Sequence, residues 1–166
     1  ANENVLAVMP TGAGKSLCYQ LPAIISKRAT IVVSPLVSLI DDQAKGLKEN
    51  GIEVAKIHSG QDRETNIKNW KLFTSGIAKL LYLSPERLMQ ERMLSALKKY
   101  LIGSFVVDEA HCISKWGAAF RPDYEALSKL KDIFPDASIT AFTATADKQT
   151  RNDISNKLAV KKLNVI

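Results

Sequence analysis

The chain has 166 residues, of which 46% are hydrophobic and 24% charged, a composition that suits one folded domain and excludes a disordered chain. No apolar run approaches the roughly 18 residues of a membrane-spanning helix, and two cysteines, Cys18 and Cys112, make neither a disulfide framework nor a zinc site. The net charge of +6 favours a polyanionic partner, but a nucleotide triphosphate is also an anion, so charge alone does not indicate nucleic acid.

Short apolar, β-branched segments alternate with helical patterns along the chain. We predict strands at Val5–Met9, Thr30–Ser34, Glu53–Ile57, Lys79–Leu83, Ser104–Val107, Ser138–Phe142 and Leu163–Ile166. We predict helices at Ser16–Ser26, Leu36–Asn50, Asp62–Ser75, Gln90–Tyr100, Pro122–Ile133 and Lys148–Leu158. This alternation indicates one α/β domain, with a mostly parallel central sheet of about seven strands and helices on both faces. In such sheets ligands bind at the carboxyl ends of the strands.

The segment PTGAGKS stands between the first predicted strand and the first predicted helix. Gly12 and Gly14 allow backbone N–H groups to approach an anion closely, and the start of the helix favours phosphate oxygens. Lys15 can reach the β- and γ-phosphates, and the Ser16 hydroxyl can bind Mg²⁺. Met9 stands where the phosphate-loop pattern has its first glycine, and an ordinary glycine turn is the alternative. The predicted ATP-binding residues are Pro10, Thr11, Gly12, Ala13, Gly14, Lys15 and Ser16.

An acidic pair follows the strand predicted at Ser104–Val107. Asp108 lies where a carboxylate can orient Mg²⁺, and Glu109 can position and deprotonate an attacking water. A kinase acting on a small molecule does not need the second carboxylate, so Glu109 favours hydrolysis over transfer. The alternative for Glu109 is a solvent-exposed acid. His111 is either structural or a bridge that reports the state of the phosphate.

Five segments occur in an order that resembles a known family: MPTGAGKSLCYQLP, SPLVSLIDDQ, YLSPERL, VVDEAHCISKWGAAFRPDY and FTATAD. Together they resemble the first RecA-like lobe of RecQ-family DNA helicases, which belong to superfamily 2 and carry a DEAH box. The most specific part is VDEAHCISKWG followed by FRPDY, because it separates RecQ enzymes from other DEAH-box proteins, including RNA helicases. The resemblance covers nearly the whole chain and implies a RecA-like P-loop fold.

The resemblance implies an ATP-dependent 3′–5′ DNA helicase that couples Mg-ATP hydrolysis to movement on single-stranded DNA and to unwinding of forked duplexes in recombination and repair. It implies catalytic roles for Lys15, Asp108, Glu109 and His111, and Mg²⁺ binding by Ser16 and Asp108. It also implies that one segment links the ATP state to DNA. That segment consists of Thr143, Ala144 and Thr145.

Three further segments look like those that contact DNA in the family. Their residues are Ser34, Pro35, Ser38, Gln43, Ser84, Pro85, Glu86, Arg87, Trp116, Phe120 and Arg121. Helix capping and turn formation are the alternative for the serine-proline segments, and core packing is the alternative for the aromatic residues. Between DNA contact and core packing, Phe120 and Tyr124 stay undecided. The family's aromatic-rich loop commonly reads WGHDF, whereas this chain has Ala118 and Ala119 at its centre. That difference leaves open whether DNA stimulates ATP hydrolysis.

We expect residues 1–166 to form one helicase ATP-binding domain. The family's upstream adenine-recognising segment, second RecA-like lobe, zinc-binding region and winged helix are not found in the sequence. We therefore expect the isolated chain to need that second lobe as its partner, to bind Mg-ATP weakly and to hydrolyse it negligibly. The expected location is the cytoplasm, on the nucleoid, in a bacterium, or the nucleus in a eukaryote. Two other classes stay open: an ATP-gated nucleic-acid-binding module that does not hydrolyse ATP, and a P-loop kinase acting on a small metabolite.

Overall fold

A computed structural model describes residues 3–144 and 147–162, with backbone alone at residues 161 and 162. The strands are β1 (Val5–Val8), β2 (Ala29–Val33), β3 (Ala55–Ile57), β4 (Leu80–Leu83), β5 (Ile102–Val107), β6 (Ser138–Thr143) and β7 (Lys161–Lys162). The α-helices are α1 (Lys15–Ile25), α2 (Val37–Glu49), α3 (Arg63–Thr74), α4 (Pro85–Leu88), α5 (Glu91–Leu97), α6 (Pro122–Glu125), α7 (Leu130–Ile133) and α8 (Lys148–Leu158). Two 3₁₀ turns occupy Ala110–Ile113 and Ala126–Lys129.

The strands form one sheet in the order β3-β4-β2-β5-β6-β1-β7, and every pairing is parallel. This confirms the predicted α/β class and parallel sheet. Strand β6 lies between β1 and β5, with Val8 in register with Thr143 and Val107 in register with Ala141. The chain segments that follow β1, β5 and β6 therefore emerge side by side at one edge of the sheet.

Helices cover both faces of the sheet, as predicted. One face packs against α1 and α2 through Tyr19, Ala23, Ile40, Ala44 and Leu47. The other face packs against α3, α4, α5, α7, α8 and the 3₁₀ turns. The central strand β2 is buried on both faces, because Ile31 and Val33 join one core and Val32 joins the other. A shift of one residue would move each of these side chains into the opposite core, so their burial fixes the register of the strand. No helix in the described ranges is long and apolar enough to cross a bilayer.

The predicted helix at Pro122–Ile133 is wrong as a single element. The structure divides it into α6, a 3₁₀ turn and α7. Tyr124, Leu127 and Leu130 are fully buried and stand three residues apart. That spacing matches the three-residue repeat of a 3₁₀ turn and keeps all three side chains on the core side.

Other boundaries differ from the predicted ones by one to three residues. For example, α5 ends at Leu97 and β3 begins at Ala55. The short helix α4 and the 3₁₀ turn after β5 were not predicted. The predicted strand Leu163–Ile166 and the coupling residue Thr145 lie outside the described residues. Helices α3 and α8 begin as their sequences indicate, because Asp62 and Asp147 each accept a hydrogen bond from the backbone N–H three residues later, at 2.7 Å.

Candidate active site

The phosphate-loop candidate connects β1 to α1 at the carboxyl edge of the sheet. The Met9 N–H donates to the Thr143 carbonyl at 2.9 Å, so the chain stays beside β6 as it leaves β1. Gly12 and Gly14 have φ angles of 82° and 75°, in the left-handed region that glycine tolerates best. The loop therefore forms a tight turn that depends on these glycines, and Lys15 is the first residue of α1.

The acidic pair lies on the neighbouring segment after β5. The Asp108 N–H donates to the Val33 carbonyl at 2.9 Å, and the Tyr124 hydroxyl donates to the Asp108 carbonyl at 2.9 Å. Glu109 has a φ of 50°, which a residue with a side chain adopts only at a cost. Such strain recurs at functional sites. The Asp108 carboxylate accepts a hydrogen bond from the Glu109 N–H at 2.9 Å.

Four predicted site residues form one continuous set of contacts. Lys15 Nζ lies 4.0 Å from Glu109 Oε1, and His111 Nδ1 lies 3.4 Å from Glu109 Oε2. The same His111 nitrogen lies 2.8 Å from the Thr143 Oγ1. The phosphate loop, the acidic pair and the end of β6 are therefore connected through side chains. The side chains of Lys15 and Glu109 are 16% and 28% exposed, so the contact lies in a partly screened cleft.

The carboxyl group of Asp108 lies in an environment that favours its protonated form. Burial, and next the charge of Glu109, raise the pKa of Asp108, while the Glu109 N–H and the charges of Lys15 and His111 oppose the rise. A divalent cation would reverse that balance, because it stabilises the carboxylate.

The chemistry of these donors fits Mg²⁺ bound together with a triphosphate. Mg²⁺ is usually held by one or two carboxylates plus substrate phosphates, and rarely by a cage made of protein alone. In the part of the chain that the structure describes, no group of three or more His, Cys, Asp or Glu side chains could hold a metal. Asp108, with the hydroxyl of Ser16, is the ligand set that a phosphate-bound Mg²⁺ would need.

The two predicted serine-proline segments lie at the same edge, after β2 and β4, but their serine hydroxyls do not face outward. The Ser34 and Ser84 side chains are buried, and neither hydroxyl oxygen has a hydrogen-bond partner. That these two segments contact DNA stays a prediction. Ser38, in the first turn of α2, is exposed.

The predicted aromatic-rich loop runs from Trp116 to Arg121. Trp116 is 69% exposed, so its indole is available to a ligand. Arg121 is part-buried, and its Nη1 donates to the Pro35 carbonyl at 2.7 Å, which fastens this loop to the segment after β2. Tyr124 is fully buried and belongs to the core. Phe120 is partly buried.

A buried hydrogen-bond network behind the phosphate loop was missed. Gln20 of α1 donates through Nε2 to Gln43 Oε1 of α2 at 2.9 Å and to the Tyr82 hydroxyl of β4 at 3.1 Å. It connects the helix that begins at Lys15 with the helix that follows the Ser34–Pro35 segment. The only sequence signal was two glutamines on neighbouring amphipathic helices, and spacing alone does not show that they meet. His58, which follows β3, is also buried, with Nε2 3.0 Å from Asp41 Oδ1.

Comparison with known proteins places this chain in a family. The model of the DEAD/DEAH box helicase family matches residues 1–154. The chain is 46% identical over 161 residues to the ATP-dependent DNA helicase RecQ of Haemophilus influenzae, covering 97% of this chain and 26% of that protein. It is 40% identical over 167 residues to the RecQ of Bacillus subtilis and 42% identical over 171 residues to the ATP-dependent DNA helicase Q1 of mouse. Those alignments cover 100% and 98% of this chain, and 28% and 26% of the relatives.

Solved structures support the same fold. A hypothetical ATP-dependent RNA helicase from Sulfolobus tokodaii superposes with a TM-score of 0.73 at 19% identity, over 97% of this chain and 47% of that one. The Hef helicase domain of Pyrococcus furiosus superposes with a TM-score of 0.68 at 16% identity, over 99% of this chain and 36% of that one. This chain spans about a quarter of the length of the curated relatives. It belongs to the DEAD/DEAH box helicase family, and within that family its sequence resembles the first RecA-like lobe of RecQ helicases.

Proposed function

We propose that this chain is the ATP-binding lobe of an ATP-dependent DNA helicase that moves 3′ to 5′ along single-stranded DNA and unwinds forked duplexes in recombination and repair. The observation that carries the proposal is the 4.0 Å approach of Lys15 Nζ to Glu109 Oε1, with His111 between Glu109 and Thr143. In this arrangement Lys15 supplies a cation that can bind phosphate and Glu109 supplies a carboxylate that can orient water. His111 connects both to the end of β6.

The residues of the site divide the chemistry among them. The amides of the phosphate loop and the Lys15 ammonium bind and orient the phosphates. Ser16 and Asp108 would hold Mg²⁺, which when bound neutralises charge on the phosphates. Glu109 accepts the proton of the attacking water at its carboxylate. His111 contacts Glu109 and Thr143 together, so a change in one contact alters the other.

The proposed activity needs a second RecA-like lobe. An arginine finger from such a partner raises the rate of phosphoryl transfer by about 10³–10⁵ in related systems. The isolated chain should therefore bind Mg-ATP weakly and turn it over negligibly. The longer protein would act where DNA is, in the cytoplasm on the nucleoid of a bacterium or in the nucleus of a eukaryote.

A strand-displacement assay of the two-lobed protein tests the proposal. We expect unwinding of forked DNA with a 3′ tail when ATP and Mg²⁺ are present, and little unwinding of a 5′-tailed duplex or of duplex RNA. ATP-dependent binding of DNA with neither unwinding nor phosphate release would instead support the non-hydrolysing module. Phosphate transfer to a small acceptor would support the kinase alternative. The match to a helicase family does not favour that alternative.

A further inference from the structure

A cavity of about 710 Å³ lies between α3 on one side and α4 and α5 on the other, away from the phosphate loop. It opens at the carboxyl edge of the sheet, because His58 and Ser59 follow β3 and Arg87 follows β4. Its volume is within the range of roughly 300–1,000 Å³ that holds one small ligand. None of the residues with assigned catalytic roles lines it.

The lining of this cavity is strongly cationic. It includes Arg63, Arg87 and Arg92 and contains no Asp or Glu. Within residues 3–144 and 147–162, none of these arginines forms a salt bridge or donates a side-chain hydrogen bond. The Nε of Arg87 is buried and has no partner at all. A buried donor of this kind is unfavourable until an acceptor reaches it.

One wall of the cavity is apolar and aromatic. The Trp70 ring lines it and is held in place by Phe73 and Tyr100, with ring centroids at 5.7 and 5.9 Å. Ile67, one turn earlier on α3, is 44% exposed. A flat ligand could pack against this wall without rearrangement of the core, because the indole is already fixed by its neighbours.

Several polar groups near the mouth are already paired. The Gly60 N–H donates to His58 Nδ1 at 3.1 Å, so His58 Nε2 carries the proton and donates to Asp41 at 3.0 Å. Gln61 Nε2 donates to the Lys56 carbonyl and to Asn66 Oδ1. These hydrogen bonds hold the loop after β3 in place, and Arg63, Arg87 and Arg92 are the cationic donors of the lining.

We propose that this cavity binds one nucleotide of single-stranded DNA, with its phosphate on the arginines and its base against Trp70 and Ile67. Guanidinium groups pair with phosphate oxygens, and aromatic rings stack on bases without regard to sequence. DNA is favoured over an acidic peptide because the mouth adjoins Ser84–Arg87, the segment predicted to contact the strand. The inference rests on the proposed function, since it extends the path of the same strand.

Fluorescence anisotropy of this chain with labelled oligo(dT) of about 12 nucleotides tests the site, a length within the range that single-strand binders occupy. The double variant Arg63→Gln, Arg92→Gln should bind about tenfold more weakly. Its slope of log K against log salt should fall by about 1.4, or 0.7 for each lost phosphate contact. The double variant Arg28→Gln, Arg151→Gln removes two arginine charges at exposed positions outside the cavity and is the matched control, with unchanged binding expected.

Photocrosslinking supplies a second readout that does not depend on loss of affinity. Oligo(dT) carrying 5-iodouracil should crosslink to the α3 peptide that contains Trp70. Unchanged affinity and salt slope in the double variant, or crosslinks confined to other peptides, would overturn the inference and leave the proposed function standing. Binding of a glutamate-rich peptide in place of oligo(dT) would also overturn it. The proposed function is tested separately, because it would be contradicted if the two-lobed protein did not unwind DNA.

Discussion

His111 and Thr143 meet at the carboxyl edge of the sheet, where the histidine Nδ1 lies 2.8 Å from the threonine Oγ1. The threonine ends β6, and the histidine belongs to the turn after β5. Because the same nitrogen approaches Glu109, this pair joins the proposed lytic carboxylate to the segment that resembles the family's coupling motif.

Replacing Thr143 with Val should destabilise the chain. The substitution keeps the buried shape but removes the hydroxyl that His111 contacts, and a lost hydrogen bond of this kind costs about 1 kcal/mol. Thr143→Ser keeps the hydroxyl but removes one buried methyl group, which costs about 0.8 kcal/mol by itself. Urea unfolding measures the effect, with Thr140→Val on the same strand as the matched control. Equal stability of Thr143→Val and the parent chain would show that the contact contributes nothing.

Asp108 should make stability depend on pH. Burial, followed by the charge of Glu109, raises the pKa of Asp108 in the folded chain. The contribution of Asp108 to the free energy of unfolding is therefore complete below the unfolded pKa of about 3.9, and it is lost as the pH rises through the raised folded pKa. Asp108→Asn should therefore unfold at higher urea than the parent at pH 7, with a difference that shrinks as pH falls toward 4. A difference that stays constant across this range would contradict the prediction.

The matched control for that titration is Asp123→Asn. Asp123 is exposed on α6, and the substitution removes the same charge. Surface changes of this kind alter the free energy of unfolding by less than about 0.5 kcal/mol. The Asn at position 108 can still accept the hydrogen bond from the Glu109 N–H, so the comparison isolates the charge.

Gln20→Leu should cost about 1–3 kcal/mol of unfolding free energy, because it leaves the buried Tyr82 hydroxyl and Gln43 without their shared donor. The same change at the exposed Gln149 of α8 is the control. Combining Gln20→Leu with Tyr82→Phe should cost less than the sum of the single changes, because the two residues share one network. Strict additivity would show that the network does not act as a unit.

Trp116→Ala should separate stability from strand binding. The indole is 69% exposed, so urea unfolding should change by less than about 0.5 kcal/mol. If the ring stacks on an unpaired base, DNA binding by the two-lobed protein should weaken by about 1–3 kcal/mol. Ile25→Ala, at an exposed apolar position of α1, is the control for general surface effects. Unchanged DNA affinity in Trp116→Ala would remove this residue from the strand path.

The sequence was informative wherever one residue type determines a local conformation or a strand end. Gly12 and Gly14 indicated a tight turn, and apolar runs predicted β1, β2 and β5, with the acidic pair directly after β5. Parallel pairing then brings Lys15 Nζ within 4.0 Å of Glu109 Oε1.

Features that depend on packing between distant segments could not be predicted. The positive φ of Glu109 could not be predicted from its residue type, since glycine is the residue that usually adopts a positive φ. The burial of Ser34 and Ser84 depends on how the following helices pack, and the cavity beside Trp70 depends on the separation of α3 from α5. Local propensity contains none of this information.

The central claim is that Glu109 activates the lytic water beside a phosphate that Lys15 binds. Glu109→Gln in the two-lobed protein tests it most directly, because the amide keeps the shape but cannot accept the proton. We predict a fall of about 10²–10⁴-fold in DNA-dependent phosphate release, with the affinity for a fluorescent ATP analogue retained. Phosphate release at the parental rate would contradict the account.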